Sequence, residues 1–285
     1  MNTNWISIEY EFYSVLFLID NFPNNFHKKV VMNMLKLIDV GVNMDGEHGK
    51  IQVLSHINLN LENKMIYVMT GPNGGGKSSI AKAIMGIYPL TTGRILMDGI
   101  DISEMSITER ANLGIGYAMQ QPARFKGMKV RDLLTLAIGD NNEKNICDLL
   151  FDVGLCAQDY LDRDINSSFS GGELKRLEIA SVLARKLKVV LFDEPEAGID
   201  LWSFTKLTET FENLNKKYDT TIIIISHQER ILRLADQVIM VAGGKISEIT
   251  NKEKILNEIK IIDSNCRCRQ TCEVRGKSNV TECDR

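Results

Sequence analysis

Nine residues, Gly71 to Ser79, read GPNGGGKSS, and they constrain this chain more than any other stretch. A glycine-rich loop ending in Lys-Ser cradles phosphate when a strand leads into it and a helix leads out. Both flanks are present: Lys64 to Met69 is an apolar, strand-like run, and Lys77 to Gly86 has helical spacing. The glycines let backbone amides turn inward, because no Cβ blocks the positive-φ conformations that an anion nest demands. Gly71, Pro72, Asn73, Gly74, Gly75, Gly76, Lys77, Ser78 and Ser79 are therefore the expected nucleotide-binding residues. Lys77 would reach the β- and γ-phosphates, and the Ser78 hydroxyl would ligate Mg²⁺. A mere glycine turn is the bland alternative, and the strand–loop–helix context disfavours it.

A second string, VVLFDEP, gives an apolar strand ending in Asp193 and Glu194. The first carboxylate is placed to hold the Mg²⁺ shell and the second to polarise an attacking water. Around these motifs the chain alternates strand and helix. Strand-like runs at Met34 to Val40 and Ile51 to Leu61 precede the loop, Arg94 to Met97 with the turn Asp98-Gly99 looks like a small hairpin edge, and Gly114 to Gln120 reads as a buried strand. From Val130 to about Leu161 the spacing is helical with no strand between. After it come a helix from about Gly172 to Lys186, strand Val189 to Phe192, helix Trp202 to Tyr218, strand Thr221 to Ser226, helix from Gln228 and strand Gln237 to Val241. Unbroken runs such as TIIIIS indicate strands buried on both faces.

Between the two phosphate motifs lies FSGGELKR, Phe169 to Arg176. A phosphate loop followed by SGGE at a helix start, about twenty residues before a second acidic motif, resembles the ABC ATPases. The resemblance implies that Ser170, Gly171, Gly172 and Glu173 contact a nucleotide held by a second copy of the chain. Read by themselves, the same residues describe a helix cap of the serine-x-x-acid type. Three further positions match the family: Gln120 as the γ-phosphate, metal and partner-sensing glutamine, Asp200 of AGID as a cross-subunit residue, and His227 of ISH as the switch histidine. Gln121 is an alternative to Gln120, since both precede Pro122. The implied catalytic set is Glu194, His227 and Gln120, and the implied Mg²⁺ set is Ser78, Gln120 and Asp193. The expected fold is α/β: a P-loop ABC ATPase domain with a mostly parallel core sheet, an antiparallel β edge and a helical subdomain insertion at about 122–172. The implied reaction is ATP hydrolysis, with two copies closing on ATP.

Within that family, SGGE in place of SGGQ, the string MQQPARFKGMKVRDLL and the switch SHQERIL resemble the SufC-like ATPases of iron–sulfur cluster assembly. QQPARFKG with EAGIDLWSF and a short cysteine-bearing tail is most similar to the minimal, SmsC-like form. This implies a SufB-like scaffold protein as partner, gripped through the loop Ala123 to Lys129 and the helix after Val130. The runner-up is the nucleotide-binding subunit of a membrane transporter, and a non-catalytic, nucleotide-sensing subunit is disfavoured by Glu194 and His227. No aromatic residue stands before the second strand to stack on adenine, a departure from the commoner pattern that leaves His48 or Ile51 as substitutes.

A net charge of −3 supplies no electrostatic reason to seek nucleic acid. No run approaches the roughly 18 to 20 apolar residues that span a bilayer, so any membrane role needs a partner. The segment Trp5 to Ile19 is apolar but carries Glu9 and Glu11, lacks a basic leader and reads poorly as a signal peptide, which suggests a cytoplasmic protein. Residues 1–33 are expected to be an extension outside the core: a misassigned start, an amphipathic helix or a partner-binding arm. The ATPase domain is expected over 34–251, a helix over 252–262 and a cysteine-containing tail over 263–285. In that tail Cys266, Cys268, Cys272 and Cys283 offer four thiolates to zinc or an iron–sulfur cluster, although C-x-C-x₃-C-x₁₀-C is not a standard closed zinc spacing. The polar residues around them give little apolar material for packing, and a disordered, reducible tail without metal is the bland alternative.

Overall fold

Apolar runs without alternation need cover on both sides, and the computed structural model shows what supplies it. The structure describes residues 33–46, 49–120, 127–166, 168–185, 187–199 and 201–257. The N-terminal extension up to residue 32, the cysteine tail, His48, Gln121 and Asp200 lie outside the described residues.

In chain order the elements are β1 (Asn33–Gly46), β2 (Gly49–Glu62), β3 (Ile66–Thr70), α1 (Lys77–Met85), β4 (Thr92–Met97), β5 (Ile100–Asp101), α2 (Ile107–Asn112) and β6 (Ile115–Ala118). Four helices follow: α3 (Val130–Ile138), α4 (Glu143–Asp152), α5 (Ala157–Tyr160) and α6 (Gly171–Leu183). The chain continues through β7 (Val189–Asp193), α7 (Leu201–Tyr218), β8 (Thr221–Ile225), α8 (Glu229–Leu232), β9 (Gln237–Ala242) and β10 (Lys245–Thr250). A last described helical stretch covers 252–257.

The strands make two sheets. One is four-stranded and antiparallel, ordered β2-β1-β4-β5. The other is six-stranded, ordered β10-β9-β3-β8-β7-β6, parallel except where β10 returns antiparallel along β9. Alternate residues of the parallel strands feed different cores. Tyr67, Met69, Val189, Leu191, Ile223 and Ile225 pack with α1 and the four-stranded sheet. Val68, Val190, Phe192, Ile222 and Ile224 pack instead against α3, α4, α6 and α7. Ile222 to Ile225 are each at most 1% exposed, and burying one such side chain contributes about 1.5–3 kcal/mol.

Several expectations need correction. The small hairpin edge stands as read, as β4 and β5 at one side of the antiparallel sheet, but the sheet is larger than that edge, because the long β1–β2 hairpin has an inner face (Leu35, Leu37, Leu54, Ile57, Leu59) that must be covered. The Asp98-Gly99 turn stands as read, with φ of 50° and 82° at its central residues. Strand β3 starts at Ile66, since Lys64 sits in a turn at φ 61°. Helix α6 stops at Leu183, and the helix expected from Gln228 is four residues long. Helix α2 and strand β10 were not anticipated. Ser106 and Glu109 cap α2 reciprocally, a serine-x-x-glutamate signal that the sequence carries in plain view.

Candidate functional site

Strands β3, β7 and β8 run parallel, so their C-terminal ends emerge on one side of the sheet, where open α/β folds bind ligands. The loop Gly71 to Gly76 leaves β3 there and turns into α1. Gly71 has φ 135°, and a Cβ at that position would lie 2.1 Å from the carbonyl oxygen of Val241 on β9. Gly75 is under similar constraint, 2.8 Å from the same oxygen. The turn between β9 and β10 holds the loop from behind: Gly244 N–H donates to Gly75 O at 2.9 Å, and Ser55 N–H on β2 donates to Gly244 O at 2.9 Å. Lys77 is 6% exposed. Its ammonium donates to the carbonyls of Gly71 at 2.8 Å and Pro72 at 2.9 Å. Burial pushes its pKa down, and the charges of Glu194 and Asp193 partly restore it.

Two hydroxyls fix the carboxylate at the end of β7. Ser78 Oγ donates to Asp193 Oδ1 at 2.9 Å, and Tyr117 OH on β6 donates to Oδ2 at 2.8 Å. Serine and aspartate oxygens side by side are the hard donor set that Mg²⁺ takes, so these residues fit that ion. The next residue, Glu194, has φ 45°, a conformation that costs a residue with a Cβ on the order of 1–3 kcal/mol. Its backbone N–H donates to Ile225 O at 3.0 Å, extending the bonding past the strand. The backbone here aims the carboxylate, and Gln120 Nε2 donates to Glu194 Oε2 at 2.5 Å. The amide nitrogen of Gln120 is thus engaged with Glu194 and not with the Ser78–Asp193 pair. His227 follows β8 with Nδ1 3.4 Å from Thr70 Oγ1. Burial and then the Lys77 cation hold the imidazole below its usual pKa, against the opposing charge of Glu194.

The SGGE residues open α6. Ser170 is its N-cap: Oγ accepts from Glu173 N–H at 3.2 Å, and Ser170 N–H donates to Glu173 Oε2 at 2.6 Å. Glu173 Oε1 accepts from Tyr160 OH and from Arg163 Nη1, the latter at 3.3 Å. Burial pushes this carboxyl up, but the hydrogen bonds from Tyr160 and Ser170 and the Arg163 cation outweigh it, and its pKa is pushed down to about 2. Among the described residues no hydrogen bond joins Ser170, Gly171, Gly172 or Glu173 to the loop Gly71 to Ser79. Ile51, weighed as an adenine contact, stands 59% exposed on β2.

Sequence reasoning missed several contributors. Tyr117 sits in a strand that reads as core. Ser226 Oγ donates to Glu196 Oε1, and burial pushes the Glu196 carboxyl up while that bond opposes it. Lys175 and Glu178 of α6 pair at 2.9 Å. Only the Gly243-Gly244 dipeptide carried a turn signal that pointed to the loop's support.

Comparison with known proteins agrees with this geometry. The ABC transporter family pattern matches residues 54–197. The chain is 37% identical over 226 residues to the uncharacterized ABC transporter ATP-binding protein MJ0035 of Methanocaldococcus jannaschii, covering 76% of this chain and 88% of that one. It is 31% identical over 215 residues to the probable ATP-dependent transporter ycf16 of Cyanidium caldarium, covering 70% and 84%. Among solved structures it superposes with TM-score 0.70 on the ATP-binding cassette MJ0796, dimeric and bound to ADP and Pi, at 21% identity over 77% of this chain and 99% of that one. With cbiO1 of Clostridium perfringens, part of the ABC transporter complex cbiONQ, the TM-score is 0.68 at 26% identity over 85% and 98%. The chain belongs to the ABC transporter family, as an ATP-hydrolysing cassette of α/β fold.

Proposed function

We propose that this chain is the ATP-driven subunit of a larger assembly, in which two copies close on ATP and move a partner protein. The observation that carries this is the set of three contacts at the end of β7: Ser78 and Tyr117 on Asp193, and Gln120 on Glu194. The loop amides and Lys77 bind the phosphates, with charge-assisted bonds worth about 1.5–3 kcal/mol each. Ser78 and Asp193 would hold Mg²⁺, which would supply positive charge to offset that of the phosphates. Glu194 takes the proton of the attacking water, and Gln120 and His227 orient the groups around it. Ser170, Gly171, Gly172 and Glu173 of one copy face the phosphate held by the other, a contact to which the resemblance also assigns Asp200. The α6 N-terminus suits that role, as it combines free amides with a favourable dipole.

For the partner, the relatives are named as transporter components, and this favours an integral membrane protein at the cytoplasmic face. Among the described residues no helix is long and apolar enough to cross a membrane. A second reading, a SufB-like scaffold in iron–sulfur cluster assembly, is supported by the SGGE signature and the strings QQPARFKG and EAGIDLWSF. An anaerobic pull-down from the native cell, with ATP and the Glu194→Gln variant as bait, separates the two. Recovery of a protein with several spanning helices supports transport. Recovery of a membrane-free protein carrying iron and sulfide supports assembly. Capture of neither, with a bait that binds no ATP, would sink the ATP-driven reading itself.

A further inference from the structure

Two side chains of α6 grip the backbone of the residue just before Gln120. Lys175 Nζ donates to the carbonyl of Met119, and Glu178 Oε1 accepts from the Met119 N–H at 3.0 Å. Lys175 Nζ and Glu178 Oε2 lie 2.9 Å apart, with side chains 1% and 14% exposed. Strand β6 ends at Ala118, so Met119 has left the ladder, and the two side chains replace the partners its peptide groups lose there. Met119 is 49% exposed, and its side chain takes no part in this. Such a buried ion pair is a poor device for stability, since desolvation offsets most of the attraction. It is a good device for position, because it fixes both polar groups of one peptide residue at once.

One residue further, Gln120 Nε2 meets Glu194 Oε2 at 2.5 Å. We propose that Lys175 and Glu178 are positioning residues that, by holding both peptide groups of Met119, place the Gln120 amide against Glu194. The inference rests on the reading of Glu194 as the base and Gln120 as its partner.

The test is a set of double-mutant cycles on ATP turnover, with ATP binding measured in parallel on the full chain and its native partner. Lys175→Met keeps the apolar stem and removes the donor, while Glu178→Gln keeps an acceptor and removes the charge. Gln120→Ala alone is expected to lower kcat roughly tenfold, the effect of one hydrogen bond at the transition state. Lys175→Met is expected to lower kcat by a similar factor with KM for ATP unchanged, and to add less than about twofold in the Gln120→Ala background. If Lys175→Met does not fold, the same cycle with Glu178→Gln decides. An undiminished loss in the Gln120→Ala background, or a matching fall in ATP affinity, overturns the clamp. Unchanged turnover in Gln120→Ala also overturns it, and Glu194→Gln then shows whether the reading of the base survives.

Discussion

Tyr117 and Asp193 share a hydrogen bond of 2.8 Å, which holds one oxygen of a carboxylate whose other oxygen meets Ser78 at 2.9 Å. Burial, and then the charge of Asp193, push the Tyr117 hydroxyl well above its ordinary pKa, so it stays a donor across the physiological range. Tyr117→Phe removes one donor and no volume. We expect a stability loss of about 1 kcal/mol in denaturant melts and a higher Mg²⁺ concentration for half-maximal nucleotide binding, read by calorimetry. An unchanged Mg²⁺ requirement would assign the tyrosine to packing alone.

Glu194 sits at φ 45° one residue past β7, where its carboxylate meets Gln120 rather than the interior. Glu194→Gln preserves size and removes the base. Turnover is expected to fall by roughly 10²–10⁴-fold while nucleotide affinity holds, and an ATP-bound dimer should accumulate in sedimentation or scattering. Normal turnover in this variant would refute the role of the carboxylate.

The carboxyl of Glu173, pushed down to about 2, makes the start of α6 sensitive to acid. Its folded value lies below the unfolded value near 4.5, so the unfolded chain binds more protons between the two. The stabilisation is complete above pH 4.5 and is lost as pH falls toward about 2. Glu173→Gln should flatten the stability curve across that window, as seen in the difference between urea midpoints of the two proteins. Superimposable slopes would mean that the carboxylate gains nothing from Tyr160, Ser170 and Arg163.

His227 behaves with the opposite chemistry. Its folded pKa is lowered from 6.5 by burial and by Lys77, so the neutral ring is favoured and protonation on acidification favours the unfolded chain. The associated stability is present above pH 6.5 and declines as pH falls toward the folded pKa. Removing the neighbouring charge with Lys77→Met should move the His227 midpoint upward in an NMR titration. A midpoint that stays in place would show that burial alone sets it.

What was legible in the sequence was whatever local chemistry dictates. The loop Gly71 to Ser79, the acidic pair after VVLF and the helix start at Ser170 each carry their geometry in a few consecutive residues, and the structure places them at element ends as read. The contacts that unite them were not legible. Tyr117 reaches Asp193 across 76 positions and Lys175 reaches Met119 across 56, and no local pattern encodes either pairing. Met119 lends only its backbone, which has no residue signature. Strand β10 escaped for a milder reason: KISEIT alternates weakly, and its burial pattern is mostly exposed.

Lys77 has three N–H donors, and two are committed to the carbonyls of its own loop, Gly71 and Pro72. One cation thus fastens the loop shut and has one further donor to offer a phosphate. Anchorage and affinity therefore cannot be tuned separately at this position: any replacement that weakens the grip on phosphate also unfastens the ring of peptides that receives it. Evolution of a looser or tighter nucleotide grip in this chain must work through the surrounding amides or the β9–β10 turn behind them, leaving the lysine itself untouched.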